Sequence, residues 1–269
     1  MIDFDNVDDW APKLSDALYK IVPNSVEKEI AEADFKYFED ALDLLFELTD
    51  KEAIINKTLD WLSSAKIIFY HGTRLTDSEK LSVLSNGLLP LKAENRKNRI
   101  IEALSSHPNW SNVLPLFDDV IQKHGTGKRG KREGQVHLTL SKINLIEGFN
   151  YYLIYGSEFD QNVAYDLLGK EGKELLKQYG KPRIITVVVP GDLALNAAHP
   201  NINISFLRER GNIPNLVKEF LQTWSHKLAN PSWQMENWSV DCGLMFYKTV
   251  SPDWIISIDS LNDDEIKKS

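Results

Sequence analysis

A single cysteine, Cys242, is all the thiol chemistry that the 269-residue sequence offers. No intramolecular disulfide can form, and a thiolate zinc site has little to draw on. No apolar run approaches the ~20 residues that a membrane span needs. The start, Met1-Ile2-Asp3-Phe4-Asp5, is acidic and has neither the basic region nor the apolar core of a secretion signal. Residues 1–64 contain no arginine and no histidine. These absences lead to the expectation of a cytoplasmic protein with no membrane partner and no metal.

What is present is the balance of an ordinary globular chain, 42% hydrophobic and 26% charged, long enough to bury an ample core. The net charge of -8 is unevenly spread. Residues 1–60 hold 16 acidic and 6 basic side chains, a balance of -10, which leaves the other 209 residues at +2. The acidity therefore belongs to the start of the chain, and nucleic acid is not excluded as a partner of the remainder.

Residues 8–64 read as helices, because Phe35, Phe38, Ala41, Leu42, Leu45, Phe46 and Leu48 recur at steps of about three and four. Pro23-Asn24-Ser25 interrupts this region, and Ser25 begins a cap with Lys28 and Glu29 in the first turn. The region is expected to be a helical cap on a catalytic body. The alternative is an acidic surface that docks an inhibitor or mimics nucleic acid. From Lys66 onward, segments 66–70, 135–140, 183–189, 244–249 and 254–258 are rich in Val, Ile, Thr and aromatics and read as strands. Helices are expected at about 77–86, 94–105, 112–123, 158–178 and 213–228. The pattern predicts an α+β fold with an acidic helical region at 1–64 and a domain of mixed strands and helices at 65–269.

The most informative run is Phe69-Tyr70-His71-Gly72-Thr73-Arg74, where an apolar strand delivers a histidine, a glycine and a threonine. A helical stretch follows, and Asn86-Gly87-Leu88-Leu89-Pro90 closes it. This order of strand, His-Gly-Thr, helix and Gly-Leu resembles the first motif of the diphtheria-toxin and poly(ADP-ribose) polymerase branch of ADP-ribosyltransferases. A second His-Gly-Thr, at 124–126, stands in a polar, glycine-rich context and is not read as a motif. A further segment, Gly134-Gln135-Val136-His137-Leu138-Thr139-Leu140, followed by Gly148-Phe149-Asn150-Tyr151-Tyr152, is similar to the strand and tyrosine helix whose aromatics sandwich nicotinamide in that branch. His137 stands where the first aromatic would be, and Tyr151 or Tyr152 near the second. The run Pro182 to Asp192 looks like the central strand, although a continuous Val/Ile run is core whatever the function.

The resemblance implies a split mixed or antiparallel sheet with flanking helices, and NAD as co-substrate. It implies that His71 bonds a ribose, that Gly72 holds the carboxamide through its backbone, and that Thr73 ties the strand end or touches the adenosine ribose. His137, Tyr151 and Tyr152 would line the nicotinamide pocket, with Tyr152 also among the catalytic group. The family's catalytic glutamate would fall at or next to Gly243, where there is no carboxylate. Asp241 is the nearest acid and takes the catalytic assignment, with Glu236 further upstream. Such a carboxylate stabilises the oxocarbenium-like centre formed as the nicotinamide–ribose bond breaks. Glu158, in Ser157-Glu158-Phe159-Asp160, reads as an acid favoured at a helix start.

The stretch 123–132 holds five Lys/Arg and no acid among glycines. Lys128, Arg129, Lys131 and Arg132 are its candidate nucleic-acid contacts, since phosphate contacts supply sequence-independent affinity. The expected activity is NAD-dependent mono-ADP-ribosyl transfer to a macromolecular acceptor, RNA or DNA slightly ahead of protein. A toxin or defence role would fit, with an antitoxin or inhibitor as possible partner. Two alternatives stay open. RNA 2'-phosphotransferases share His-Gly-Thr and a His-x-His-Leu strand that Val136-His137-Leu138 partly matches, but carry a basic N-terminal domain. An inactive NAD- or partner-binding module of the same fold would account for the glycine at 243.

Overall fold

The computed structural model describes residues 1–125, 133–235, 240 and 242–266. It is a mixed α+β protein with one open, antiparallel five-stranded sheet. Four helices form at the start: α1 (Val7–Leu18), α2 (Asn24–Glu32), α3 (Asp40–Leu48) and α4 (Lys51–Ser63). Helix α1 forms because Val7, Trp10, Ala11, Leu14 and Leu18 place one buried stripe at helical spacing. Asp50 caps α4 by accepting from the Ala53 amide at 3.0 Å. Strand β1 (Lys66–Leu75) follows, then α5 (Asp77–Asn86), α6 (Ala93–Leu104), α7 (Trp110–Val113) and α8 (Phe117–Gly125). Next come β2 (Val136–Thr139), α9 (Lys142–Glu147), α10 (Tyr151–Tyr155), α11 (Glu158–Leu176) and β3 (Lys181–Pro190). Helices α12 (Gly191–Ala197), α13 (Ile204–Glu209) and α14 (Asn215–Ala229) precede β4 (Gly243–Phe246) and β5 (Ile255–Ser260). The sheet order is β4-β2-β1-β3-β5, and β5 runs antiparallel to β3.

The chain divides into two compact units. The first comprises Met1–Phe69, Thr139–Asn144 and Val188–Met245. Its core is aromatic: Phe220 of α14 meets Phe4 edge-on at 5.0 Å and Trp10 at 4.8 Å, and the Trp10 indole N–H donates to the Phe4 carbonyl at 3.0 Å. Half-buried Asp5 accepts from the amides of Lys142 and Ile143 at 2.7 and 3.1 Å and so caps α9.

The second unit comprises Tyr70–Leu138, Leu145–Val187 and Phe246–Ser269. Its helical core joins α6, α8 and α11 through Ile100, Leu104, Phe117, Ile121, Phe159 and Val163. Thr76 and Glu79 form a reciprocal capping box that starts α5. The helix ends at Gly87, whose φ of 77° with ψ of -170° is a region open essentially to glycine. A Cβ there would also stand 2.0 Å from the Val250 carbonyl oxygen, where Leu88 and Val250 bond to each other's backbone in both directions at 3.0 Å. Among the described residues no helix is long and apolar enough to cross a membrane.

The His-Gly-Thr run differs in one respect from its expected setting. β1 does not stop at Tyr70 but continues through His71, Gly72 and Thr73 to Leu75. The continuation is buried at Gly72, Thr73, Arg74 and Leu75, so core contacts extend the strand past the histidine.

Candidate active site

A cleft of about 380 Å³ opens in the second unit, within the ~300–1,000 Å³ span of small-molecule sites. Its lining brings together His71, Gly72 and Thr73 of β1, His137 of β2 and Tyr152 of α10. Tyr151 does not line it. Its ring packs on Tyr152 with centroids 4.2 Å apart, which leaves Tyr152 as the tyrosine at the wall. Asp241 and the four cations Lys128, Arg129, Lys131 and Arg132 lie outside the described residues.

His71 is held by its neighbour strand. Its Nδ1 lies 2.8 Å from the His137 carbonyl oxygen. A carbonyl only accepts, so Nδ1 carries the proton and Nε2 is left as an acceptor. Burial lowers the imidazole's pKa below its ordinary value, and the nearby Arg96 charge lowers it further, against an opposing effect of the His137 bond. At neutral pH the ring is therefore uncharged. The His137 side chain is tied along its own strand, Nε2 to Gln135 Oε1 at 2.9 Å.

Gly72 has a packing reason as well as any role toward a ligand. A Cβ there would stand 2.7 Å from Cδ1 of Leu145, which is itself buried. Alternation along the strand directs residue 72 to the face opposite His71 and Thr73, and Leu145 fills the space that a side chain would need.

A polar network that the sequence did not single out reaches the cleft through Glu79 and Arg96. Arg74, next to the motif, is buried and donates to the carbonyls of Leu153, Ile154, Tyr179 and Gly180 at 3.2, 3.4, 3.4 and 2.9 Å. It thereby staples the end of α10, the helix that bears Tyr152. Arg99 joins three elements, donating to Glu79, to Asp160 at 3.1 Å and to the Arg74 carbonyl at 2.9 Å. Arg96 donates twice to Asp160, from Nε at 3.0 Å and from Nη2. Burial pushes the Asp160 carboxyl up, but the two guanidiniums outweigh it and hold the group below the usual range. Arg96 in turn is held above its ordinary value by Asp160 against its own desolvation. Asp160 is placed by the start of α11, where the Ser157 hydroxyl accepts from the Asp160 amide at 3.1 Å.

Among the described residues two carboxylates line the cleft, Glu79 and Glu158. Glu79 is committed, accepting from Arg99 and from the Thr76 amide at 2.8 Å. Glu158 opens α11 at the cleft wall. Among the described residues no group of three His, Cys, Asp or Glu side chains could hold a metal ion.

The sequence did carry a signal for Arg96. On α6 it falls three residues after Ala93 and four before Ile100, in the stripe that also holds Ala103 and Leu104. An arginine in an apolar stripe requires a buried partner, and Asp160 is that partner.

No family model matches the chain, and neither a curated protein nor a solved structure matches it.

Proposed function

We propose that the cleft binds NAD and that the chain, with an ADP-ribosyltransferase-like fold, transfers ADP-ribose to a macromolecular acceptor, with nucleic acid ahead of protein. The observation that carries this reading is the convergence of His71, Gly72, His137 and Tyr152 on one cleft, with His71 locked so that Nε2 accepts. A neutral, fixed imidazole acceptor suits a ribose hydroxyl donor. The Tyr152 face, with His137 nearby in the lining, suits a flat cationic ring such as nicotinamide. In the transfer the C1'–nitrogen bond breaks and its electron pair returns to the pyridinium ring. The acceptor nucleophile then forms its bond to C1' and gives up its proton. A carboxylate beside the ribose would stabilise the cationic carbon between these events. Asp241 holds this role on the resemblance alone. We assign it instead to Glu158, because Glu158 lines the same cleft as His71 and Tyr152.

The RNA 2'-phosphotransferase reading draws support from one observation, a guanidinium, that of Arg96, in a cleft that also contains His137. A role in toxicity or defence would follow from NAD consumption within a cell, and loss of toxicity in a His71→Ala strain tests it.

The deciding experiment incubates the purified chain with adenylate-labelled NAD and a cell extract, then treats aliquots with protease, RNase or DNase. Label released by a nuclease supports transfer to nucleic acid, and label released by protease moves the acceptor to protein. Intact NAD with no macromolecular label rejects transfer in favour of a binding module. Nicotinamide release that occurs only with 2'-phosphorylated RNA and yields an ADP-ribose cyclic phosphate favours the phosphotransferase.

A further inference from the structure

Arg96 has more hydrogen-bonding capacity than the protein uses. A guanidinium has five N–H donors, and two of those of Arg96 go to Asp160. The other three find no acceptor among the described residues. The side chain is only 23% exposed, and Arg96 is among the residues that line the cleft. Its anchor, Asp160, is 1% exposed and is also held by Arg99, so the fork is fixed before any ligand arrives. Asn95 and Lys92, an amide and a cation, share the lining with it, as do the acidic Glu79 and Glu158.

We infer that Arg96 is a preorganised anion subsite that takes a phosphoryl group of a nucleotide, namely the diphosphate bridge of NAD. This rests on the reading of the cleft as an NAD site. Arginine suits phosphate because its planar fork can offer two parallel N–H donors to two oxygens, and rotamer entropy already spent on the Asp160 clamp is not lost again on binding. His71 and Arg96 lining one cleft then give a single ligand two handles, a ribose hydroxyl on the imidazole and a phosphate on the guanidinium.

Calorimetric titration of the whole chain with ADP, adenosine and inorganic pyrophosphate tests this. ADP should bind about 10- to 100-fold more tightly than adenosine, the range of a charge-assisted contact. Arg96→Met should remove that difference and leave adenosine unchanged. Equal binding of ADP and adenosine by the wild type overturns the subsite, and this comparison stands whether or not the variant folds. Equal loss of both ligands in Arg96→Met also overturns it. If neither nucleoside compound binds, the NAD reading has failed. Pyrophosphate binding that Arg96→Met abolishes would then sustain the anion subsite alone, and absence of pyrophosphate binding would remove it too. A 5'-phosphorylated oligoribonucleotide that displaces pyrophosphate where ADP does not would reassign the phosphoryl group to the acceptor.

Discussion

Replacing Asp160 with alanine removes one carboxylate from two guanidiniums at once. Arg99 keeps Glu79 and the Arg74 carbonyl, but Arg96 loses both of its protein bonds while remaining mostly buried. Breaking a buried ion pair from one side costs about 3–5 kcal/mol, since the remaining charge is left without compensation. For a chain of this size about 2–4 °C of melting temperature corresponds to each kcal/mol, so Asp160→Ala should melt roughly 6–20 °C lower. The double variant Arg96→Leu/Asp160→Leu should recover most of that loss, because apolar replacement of the whole pair is often neutral. The pH dependence has a definite sign. The folded carboxyl lies below its ordinary 3.8, so between the folded value and 3.8 the unfolded chain binds more protons. The stability that Asp160 contributes is full above that ordinary value and disappears as the pH falls through the folded one. Urea unfolding of wild type and Asp160→Asn at pH 7, 5, 4 and 3 should therefore show a gap that narrows only at the acid end. A melting temperature for Asp160→Ala within about 2 °C of wild type, or a gap that widens on acidification, would refute the reasoning.

Four other outcomes are expected. His71→Ala should weaken NAD binding about 10- to 100-fold, and wild-type binding should be flat from pH 8 to 6.5 and fall only below, since the imidazole titrates under its ordinary 6.5; a loss already complete at pH 7 contradicts the neutral acceptor. Glu158→Gln should lower kcat by about 10²–10⁴ with NAD affinity little changed, whereas the same loss in Asp241→Asn alone would return the role to Asp241. Replacing Lys128, Arg129, Lys131 and Arg132 should make the salt slope of nucleic-acid binding less negative by about 3, at ~0.7 per phosphate contact on a single strand; an unchanged slope removes these cations from the interface. Gly87→Ala should cost at least about 1–3 kcal/mol from backbone strain alone, and a variant as stable as wild type would contradict the geometry around Val250.

Local pattern located the five strands and most of the long helices, but Phe35 and Phe38 precede α3, and α12 and α13 lie outside the expected helices. Apolar residues at helical spacing and Val/Ile runs are signals within one element, and they foretell that element. The extent of β1 was less legible. Thr73 and Arg74 look like residues of a strand end, yet both are buried in the strand itself. Arg74 stays there because four carbonyls from α10 and the segment before β3 accept its protons. Partners 79 to 106 residues away leave no trace in local pattern.

The same distance separates what was found in the site from what was missed. His71, Gly72 and Thr73 are contiguous, so one motif exposes all three. Arg96 and Asp160 are 64 residues apart, and each has a plausible local excuse: a basic residue on a charged helix, and an acid in the first turn of α11. Only together do they become a fixed guanidinium facing a cleft. Arg96 also comes from the long helical passage between β1 and β2, outside both the His-Gly-Thr run and the His137 strand. If that passage supplies the phosphate contact, its helices are part of the ligand site and not an ornament on it. Shortening it to a tight β1–β2 connection would then remove phosphate recognition even though His71 and His137 remained on adjacent strands, and Asp160 would lose both of its guanidinium partners, Arg96 and Arg99.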